Sequence, residues 1–452
     1  MKKCALHNLG CKVNSYETQV MQQMMEEAGY EIIPFGSEIA DVYIINTCSV
    51  TNIADRKSRQ MIHKARKLNP DAIVVAAGCY VESSKDKESP PQDGVLRRDG
   101  KADEDIDIVI GNNDKSRLVE LLNGYFDKIP APLRYNIADV KEFDEMKMNG
   151  PKEHTRAYIK IQDGCNRFCT YCIIPYVRGR IRSRGINEVC EELERIASSG
   201  CKEVVLTGIH LSSYGLDNEQ MGVTLIDVIE RANAIKGIER IRLSSLEPMI
   251  ITEEFVKRLS ACEKVCPHFH LSLQSGCDET LKRMNRRYTS DEFYDGVKIL
   301  RRYYDAPAIT TDVIVGFPGE TEEEFEATRK FLEKVQFYEL HVFKYSRRKG
   351  TVADKMEGQL TDRVKSQRSD VLLEMDESLS FEYRKKYIGK TVKILTEEVQ
   401  VINGREYMTG YTTTYVKVAI LLSDCKNYGC NSIINVKITG TFGKEMLIGV
   451  AE

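Results

Sequence analysis

Short apolar segments typical of β-strands alternate with amphipathic helical segments, and this alternation restricts the fold more than any other feature of the chain. In the first part, the strand-like segments are 3–9, 41–46, 72–77 and 107–110. The helical patterns between them are 16–28, 53–68 and 114–122. Short strands joined through helices predict an α/β domain with a doubly wound parallel sheet over residues 1–122.

The alternation resumes beyond a proline- and glycine-containing stretch, residues 123–150, which we interpret as a linker. Six further strand-like segments are 157–162, 203–207, 240–244, 268–273, 308–315 and 339–344. The helical patterns between them are 186–199, 225–234, 253–261, 290–302 and 321–336. Six such units over residues 151–383 predict an open, partial (β/α)6 barrel rather than a complete eight-stranded one.

Residues 384–452 have a strand-like period of two, with candidate strands at 391–396, 412–422 and 432–439. This pattern predicts a small all-β barrel. The region carries ten Lys or Arg against six Asp or Glu, although the whole chain has a net charge of −3. The local excess of positive charge favours an appended binding module.

Composition excludes several classes of protein. Hydrophobic residues make up 42% and charged residues 29% of the chain, and no apolar run approaches the roughly 18 residues of a membrane span. We therefore expect a soluble, cytoplasmic protein without a membrane partner. Between residues 81 and 105 the alternation fails, and Pro90 and Pro91 with mixed charges predict a solvated loop.

Three cysteines follow the first strand of the second alternating region in the spacing Cys-x3-Cys-x2-Cys. They are Cys165, Cys169 and Cys172, and Gly164 precedes them. Three thiolates on one loop suit three irons of a [4Fe–4S] cluster and leave the fourth iron open for a substrate. A zinc site normally needs a fourth ligand, and three unrelated thiols would not explain the spacing.

A second set of three cysteines is visible only when the strand pattern is considered. Cys11, Cys48 and Cys79 each follow a predicted strand of the first domain, 37 and 31 residues apart. Parallel strands linked by right-handed crossovers end at the same edge of a sheet, so we expect the three thiols to converge there. Cys425 and Cys430 in the terminal barrel are interpreted as incidental.

The cysteine loop resembles that of the radical S-adenosylmethionine (SAM) superfamily, and nearly the whole chain resembles the methylthiotransferases within it. The matching segments are 9–18, 46–51, 163–180, 273–276, 311–321 and 345–347. Lys12-Val13-Asn14 after Cys11 is typical of the branch that modifies N6-threonylcarbamoyladenosine next to the tRNA anticodon.

The resemblance implies two [4Fe–4S] clusters, ligated by the two cysteine sets, and two SAM molecules. One SAM would methylate a sulfur at the Cys11/Cys48/Cys79 cluster. The other, at the Cys165/Cys169/Cys172 cluster, would yield the radical that starts attack at C2 of the adenine, with an electron donor such as flavodoxin or ferredoxin. Gly316, Phe317 and Val342 would line the adenosyl pocket; no catalytic residue is assigned beyond the clusters.

Basic residues predict where RNA binds. Arg178, Arg180, Arg182 and Arg184 alternate with other residues, so on an extended segment they would share one face and bind phosphate. The terminal barrel resembles the TRAM module of the family, in which Lys390 and Lys393 would contact phosphate. Tyr407, Tyr411 and Tyr415 are candidates for stacking on bases, although ordinary barrel positions explain them as well.

Three alternative functions remain open at this stage. The chain could act on isopentenyladenosine in tRNA or on an aspartate of a ribosomal protein, as other branches of the family do. It could also be a non-catalytic iron–sulfur factor that binds RNA. The sequence leaves open the sulfur donor and the oligomeric state.

Overall fold

A computed structural model describes residues 1–83, 97–98, 101–102, 105–129, 135–150, 155–217, 222–425 and 428–452. Most of the predicted loop at 81–105 lies outside the described residues. The described chain forms an N-terminal parallel sheet, a central partial barrel and a C-terminal closed barrel. The predicted α/β fold class is therefore confirmed.

The N-terminal sheet is doubly wound. The strands of this domain are β1 (Lys3–Asn8), β2 (Glu31–Ile32), β3 (Val42–Thr47), β4 (Ile73–Gly78), β5 (Arg97–Arg98), β6 (Lys101–Ala102) and β7 (Ile108–Ile110). Strands β5 and β6 form a separate small hairpin. The helices are α1 (Lys12–Glu27), α2 (Asn52–Leu68), α3 (Cys79–Ser83) and α4 (Leu118–Phe126). Strands β2-β1-β3-β4-β7 form one parallel sheet, and every residue of β3 and β4 is buried. Separate hydrophobic cores cover the two faces, as expected for a parallel sheet.

Strand β2 and the first turn of α1 are not among the predicted elements. Only two residues form β2, which is too short for a periodic signal. Helix α1 begins at Lys12, four residues before the predicted start, because Cys11 already serves as its N-cap.

The central region is a partial barrel of six parallel strands, with one short antiparallel strand at the edge of its sheet. Its strands are β8 (Arg156–Asp163), β9 (Arg182–Ser183), β10 (Glu203–Gly208), β11 (Arg240–Leu243), β12 (His268–His270), β13 (Ala308–Val315) and β14 (Glu339–Lys344). Six strands run parallel, while β9 pairs antiparallel with β8. Backbone bridges at Ile241–Val265 and Leu246–Leu271 connect the two halves of the barrel wall.

The helices of this region are α5 (Ile174–Val177), α6 (Ile186–Ser198), α7 (Leu225–Ala234), α8 (Glu253–Ser260), α9 (Asp278–Arg283), α10 (Ser290–Tyr303), α11 (Glu322–Val335) and α12 (Asp362–Lys385). Helix α12 was not predicted, because few of its 24 residues are apolar and they show no clear periodicity. Helix α12 crosses the predicted boundary between residues 383 and 384. Tyr383, near its end, packs into the core of the C-terminal barrel.

Side chains along the barrel strands alternate between two environments. Apolar residues such as Ile159, Leu206 and Val313 pack in the largest hydrophobic core together with residues of the outer helices. The residues between them face the barrel interior, and many are polar; they include Lys160, Glu203, Arg242, His270 and Asp312. A partial barrel with a polar interior provides a binding chamber rather than a packed core.

The C-terminal barrel is closed and has five strands. They are β15 (Thr391–Ile402), β16 (Arg405–Thr412), β17 (Lys417–Leu421), β18 (Ile433–Phe442) and β19 (Met446–Ala451), in the spatial order β15-β16-β17-β19-β18. The predicted strand at 412–422 was partly wrong, because residues 413–416 form a turn. The Val416 amide donates to the Thr412 hydroxyl at 3.0 Å, and Tyr415 adopts a φ of +66°. Strand-like β-branched residues therefore occupy a turn.

Both neighbouring domains complete the partial barrel. Helix α1 packs against β8, the first barrel strand, and Arg348, beyond β14, donates to Asp55 at 2.7 Å and Ser49 at 2.8 Å. At the other end, Arg242 donates to the carbonyls of Thr412 and Thr413 at 2.8 and 2.9 Å. The N-terminal domain thus contacts both sides of the gap in the barrel wall, which lies between β8 and β14. The 413–416 turn covers one end of the barrel interior, which we call the floor.

None of the helices in the described part of the chain combines the length and apolarity needed to cross a membrane.

Candidate active site

The structure brings the three strand-end cysteines together. Cys11, Cys48 and Cys79 follow β1, β3 and β4, which are neighbours in the sheet. A Cβ atom added to Gly10 would lie 2.9 Å from Cys48 Sγ, so only glycine fits between the first two turns. Burial, followed by the charges of Cys79 and Cys11, raises the pKa of Cys48 to about 12. That mutual influence reflects the closeness of the three sulfur atoms.

Asn14 connects the turns that hold these cysteines. Its side chain is buried, and Nδ2 donates to the carbonyls of Leu9 at 2.7 Å and Thr47 at 2.9 Å. Its Oδ1 accepts a hydrogen bond from Arg178 at 2.6 Å. This role of Asn14 was not predicted from the sequence. The sequence does contain a signal for it, because Asn14 is a polar residue between two apolar ones, Val13 and Tyr16, that are buried in the structure.

The Cys-x3-Cys-x2-Cys loop forms a second thiol set at the end of β8. A Cβ on Gly164 would lie 1.8 Å from the Arg180 carbonyl oxygen, so this turn also requires glycine. The backbone amide of Arg167 donates to Cys165 Sγ at 3.4 Å, and Arg286 donates to Cys169 Sγ at 3.2 Å. Such donors stabilise anionic sulfur.

The two thiol sets lie across one interface. Cys79 packs in a small hydrophobic cluster with Ile173 and Val177, which belong to the segment directly after Cys172. Asn112 spans the same interface, because its Nδ2 is 3.6 Å from Cys79 Sγ and 2.7 Å from the Val177 carbonyl oxygen. The first set therefore lies next to the loop that carries the second.

The chemistry of the two donor sets fits iron–sulfur clusters. Within the described ranges, no group of three or more His, Cys, Asp or Glu side chains could hold a single metal ion. In a [4Fe–4S] cluster each thiolate binds a different iron, so a set of three neighbouring thiols suits such a cluster although it does not form a site for one metal ion. Burial raises the pKa of Cys165 to about 11 and, with the charge of Cys169, that of Cys172 to about 12. Metal binding would release these protons.

A buried ionic network joins the two cysteine-bearing domains. Glu17 of α1 accepts hydrogen bonds from Arg178 at 2.8 Å and Lys160 at 3.1 Å, and it also pairs with Lys115. Asp163, next to the cysteine loop, pairs with Arg178 and Lys160 at 3.2 Å each. All five side chains are at most 1% exposed.

The network keeps its carboxylates ionised. Burial alone would raise the pKa of Glu17, but Arg178, Lys115 and Lys160 hold it well below its usual range. Against the same effect of burial, Arg178, Lys160 and Arg182 lower the pKa of Asp163 to about 2. The contribution of Asp163 to stability is therefore fully present above about pH 4 and is lost as the pH falls toward about 2.

The predicted arginine face is wrong. Arg178 ends a helical turn, Gly179 has a φ of +74°, and only Arg182 and Ser183 form a strand, so the segment is not extended throughout. Arg178, Arg182 and Arg184 are completely buried. The first two contact Asp163, and Arg184 pairs with Glu192 and Glu145. The partners of these three arginines are therefore carboxylates of the protein, and not the RNA phosphates that the sequence pattern predicts.

Arg180 remains at the surface, as predicted for an RNA contact. It is exposed, and its guanidinium lies 4.6 Å from the ring centroid of Phe168. Phe168 makes an edge contact with Tyr176, which is 49% exposed. A basic and aromatic patch therefore borders the cysteine loop.

The three residues predicted to line the adenosyl pocket have different surroundings. Gly316 has a φ of +72°, and its amide donates to Glu320 at 2.7 Å. Phe317 is completely buried and makes edge contacts with Tyr171 and Tyr345. Val342 packs against the core on the helix side of the barrel, so the prediction that it lines an interior pocket is wrong.

Polar residues inside the barrel are functional candidates that the sequence analysis missed. Near the cysteine loop, Glu247 pairs with Arg167, with His210 at 3.2 Å and with Arg286 at 3.4 Å. Deeper inside, His270 lies 3.3 Å from Asp312 and stacks on His341. For His270, Asp312 and His341 the signal was a polar residue at alternate strand positions, which becomes informative only when the sheet shows which face is internal.

Two residues of the C-terminal barrel that are predicted to bind RNA lie at its surface. Lys390 and Lys393 are exposed. Tyr407 is buried against Phe442, and Tyr411 stacks on Tyr415 below the central barrel, so base stacking by these tyrosines is not supported. Cys425 is buried and Cys430 is exposed, and both are free.

Comparison with known proteins defines the class. A family model described as the radical SAM superfamily matches residues 159–332, and one described as uncharacterized protein family UPF0004 matches residues 3–95. The solved structure of TsrM, a radical SAM methyltransferase from Kitasatospora setae, aligns over 76% of this chain and 73% of its own, with a TM-score of 0.55 at 16% identity. The fold is thus that of a radical SAM enzyme.

Similar curated proteins narrow the assignment. The threonylcarbamoyladenosine tRNA methylthiotransferase MtaB of Bacillus subtilis is 41% identical, covering 92% of this chain and 90% of the relative. MtaB of Aquifex aeolicus is 37% identical, covering 93% and 99%. A tRNA-2-methylthio-N(6)-dimethylallyladenosine synthase of Acetivibrio thermocellus is 34% identical, covering 97% and 88%. The chain belongs to the family of these radical SAM methylthiotransferases, which use SAM and [4Fe–4S] clusters.

Replacing Glu17 by Gln should strongly destabilise the chain. The change leaves Arg178, Lys115 and Lys160 buried with one carboxylate fewer, and breaking a buried ion pair costs about 3–5 kcal/mol. The free energy of unfolding in urea, measured at pH 7, checks this. Glu254→Gln on the exposed surface of α8 is the matched control and should change it by less than about 0.5 kcal/mol. Equal effects of the two variants would contradict the role given to the network.

Proposed function

We propose that the chain inserts a methylthio group at C2 of N6-threonylcarbamoyladenosine, next to the anticodon of tRNA. The observation that carries this proposal is the position of two three-cysteine sets on either side of one interface, beside a polar barrel interior. The MtaB relatives at 41% and 37% identity carry the name of this reaction, whereas the dimethylallyladenosine synthase is 34% identical.

Each cysteine set is assigned one [4Fe–4S] cluster in this proposal. Cys11, Cys48 and Cys79 hold the first, and Cys165, Cys169 and Cys172 hold the second. When bound, the two clusters and two SAM molecules supply the methylated sulfur and the radical, with electrons from a donor such as flavodoxin or ferredoxin. Three cysteines per cluster leave one iron free for a non-protein ligand.

The protein itself positions and shields the reaction. Asn112 and the cluster of Cys79, Ile173 and Val177 hold the two thiol sets in a fixed relation. Arg286 donates to Cys169 Sγ through its guanidinium, Arg167 donates to Cys165 Sγ through its backbone amide, and the side chains of both pair with Glu247, which restrains this part of the site. The buried Phe317 and the constrained Gly316 turn support the wall beside Tyr171, within the cysteine loop.

Two exposed surfaces are assigned to tRNA. Arg180, with Phe168 and Tyr176, lies beside the cysteine loop and can hold the nucleotides around the modified base by charge and stacking. Lys390 and Lys393 of the C-terminal barrel contribute phosphate contacts that do not depend on sequence.

The cluster assignment predicts the iron content. The anaerobically reconstituted chain should contain about eight irons, since each set of three thiolates suits one [4Fe–4S] cluster. Replacing Cys11, Cys48 and Cys79 together by Ala should leave about four irons, measured by iron analysis, and should preserve reductive SAM cleavage. Replacing three buried or remote cysteines, Cys190, Cys262 and Cys425, by Ala is the control and should leave iron content unchanged. A folded triple variant of the first set that cannot cleave SAM would refute this division of roles.

The assigned substrate predicts strong selectivity among tRNAs. The threonylcarbamoyl group adds a carboxylate and a hydroxyl, whereas the isopentenyl group adds only hydrocarbon, and a site built for polar groups disfavours a ligand that leaves them unpaired. Nucleoside mass spectrometry should show methylthiolation of tRNA carrying threonylcarbamoyladenosine and at least about 100-fold less on isopentenylated or unmodified tRNA. Comparable turnover on isopentenylated tRNA would contradict the substrate assignment. It would not contradict the proposed radical chemistry.

The two exposed lysines predict a change in salt dependence. Replacing Lys390 and Lys393 by Ala should weaken binding to modified and unmodified tRNA alike, because phosphate contacts carry no sequence information. The slope of log affinity against log salt should become shallower by roughly 0.7–0.9 for each phosphate that the variant no longer neutralises. Lys257→Ala on the outer surface of α8 is the control. An unchanged slope in the double variant would exclude these lysines from the interface.

A further inference from the structure

Arg348, beyond the end of β14, contacts the turn that carries Cys48. Its side chain is 5% exposed, and Nη2 donates to the hydroxyl of Ser49, the residue after Cys48, at 2.8 Å. Its Nη1 donates to Asp55 at 2.7 Å and to Asn52 at 2.9 Å, both in the first turn of α2. Ser49 itself donates to Asp55 at 2.8 Å. The guanidinium therefore binds the Cys48 turn and the start of α2 together.

The first turns of α2 in turn hold the backbone of Cys48. The Ser58 hydroxyl accepts from the Cys48 amide at 3.3 Å and lies 3.1 Å from the Cys48 carbonyl oxygen. Thr51 caps the helix by accepting from the Ala54 amide at 3.1 Å. The Arg348 contacts therefore reach Cys48 by two routes, through the adjacent residue and through α2.

The segment that contains Arg348, residues 345–353, also contacts the cysteine loop of the second thiol set. The Ala353 amide donates to the carbonyl of Thr170, inside that loop, at 2.8 Å. Tyr345 and Ala353 belong to one hydrophobic cluster, and Tyr171 of the loop packs against it. One short segment therefore contacts the turns of both thiol sets.

The segment is constrained between its two contact points. Thr351 donates to the Arg348 carbonyl through its amide at 3.1 Å and through its hydroxyl at 2.7 Å. Gly350, within this turn, has a φ of +91°, which favours glycine. Asn52 of α2 donates to the Arg347 carbonyl at 2.7 Å, so the backbone of the segment is also held against the N-terminal domain. A displacement at one end is therefore transmitted to the other.

The other two cysteines of the first set are held from a different side. Their contacts with the barrel run from Asn14 to Arg178 and from Asn112 to the Val177 carbonyl. Arg178 and Val177 both lie on the chain shortly after the second cysteine loop, whereas Arg348 lies across the gap in the barrel wall, beyond β14. Contacts on one side alone leave the N-terminal domain free to rotate about them. Arg348 supplies the contact that fixes its orientation.

We propose that Arg348 is a positioning residue for methylthio transfer, because it holds the Cys48 turn at a fixed place relative to the second cysteine loop. The inference rests on the proposed function, in which the first set carries the sulfur and the radical arises at the second. The sulfur must reach the base carbon that the radical activates, and a small misplacement of reacting groups is costly. SAM cleavage depends on the second set alone and tolerates such a shift.

Arginine suits this position because three acceptors on two elements must be bound at once. Its planar fork presents several N–H donors in fixed directions, whereas lysine carries a compact charge without that geometry. Lysine at this position would keep an ion pair with Asp55 and would lose the simultaneous contacts with Ser49 and Asn52. The charge and the geometry of Arg348 can therefore be tested separately.

The first measurement is the amount of product formed for each SAM molecule cleaved. The reconstituted full-length chain acts on tRNA carrying threonylcarbamoyladenosine with a chemical reductant, and mass spectrometry quantifies 5′-deoxyadenosine and methylthiolated nucleoside. Arg348→Met should lower the ratio of methylthiolated nucleoside to 5′-deoxyadenosine by about 10- to 100-fold, with iron content and SAM cleavage preserved. Arg348→Lys should show a smaller loss, since it keeps the charge and not the fork.

Hydrogen exchange separates a loss of position from a loss of stability. In reconstituted Arg348→Met, the amides of residues 49–58 should exchange at least about 10-fold faster, because their local opening no longer breaks the Arg348 contacts. The amides of the buried strands β3 and β4 should exchange as in the unchanged chain. Equal acceleration throughout the N-terminal domain would show a general loss of stability and would contradict the proposal.

Arg302→Met is the matched control, because it removes an arginine–glutamate pair of 3.0 Å on the exposed surface of α10. It should change neither the product ratio nor the exchange of residues 49–58. If Arg348→Met keeps the product ratio, or loses product and SAM cleavage in equal proportion, Arg348 does not position the first set. If that variant loses iron, Arg348→Lys decides, and an unchanged ratio there overturns the proposal.

The two measurements also distinguish this inference from the proposed function. Absence of methylthiolated product from the unchanged chain, with SAM cleavage intact, overturns the proposed function. Unchanged exchange of residues 49–58 in Arg348→Met, in a chain that does form product, overturns the role of Arg348 alone.

Discussion

The arrangement of the cysteines depends on the ionic network around Glu17. Its members come from α1, from the segment before α4, from β8 and from the chain after the cysteine loop, and none is accessible to water. A buried charge without a partner is costly, so the N-terminal domain and the barrel can pack only where Glu17 and Asp163 meet Arg178, Lys115 and Lys160. That requirement fixes the positions of Cys11 and Cys165 relative to each other, since Glu17 lies on the helix that follows Cys11 and Asp163 precedes the loop.

The incomplete barrel explains why all three regions contribute to the site. Six parallel strands leave an opening between β8 and β14, and the N-terminal domain contacts both sides of it through α1 and the Arg348–Asp55 pair. The C-terminal barrel covers the floor through carbonyl groups that accept hydrogen bonds from Arg240 and Arg242. Each region satisfies polar groups that another leaves unpaired. The barrel interior is therefore bounded by domain packing, and residues that meet there, such as Arg242 and Tyr415, lie far apart in sequence.

The arginines after the cysteine loop show where pattern analysis fails. Four arginines at alternate positions look like one solvated face, and Arg180 does lie at the surface. The other three are buried because Asp163, Glu17 and Glu192 occur where they can neutralise them, and those acids come from other elements. Charge periodicity describes a segment in isolation, whereas burial of a charge depends on partners distant in sequence. The same reasoning applies to Tyr415, whose stacking partner is a histidine of the central barrel rather than a base.

Local patterns in the sequence predicted most of the strand–helix order, the parallel sheet, the six parallel strands of the partial barrel and the convergence of three strand-end cysteines. Those features follow from side-chain periodicity and from the fixed handedness of crossover connections, which act over one or two elements. Other features required the tertiary structure: the strand order that closes the five-stranded barrel, the packing of α12 and the burial of Arg178. Each depends on which groups meet across domain interfaces, and hydrogen bonding, desolvation and charge pairing there are set by three-dimensional distance rather than by position in the chain.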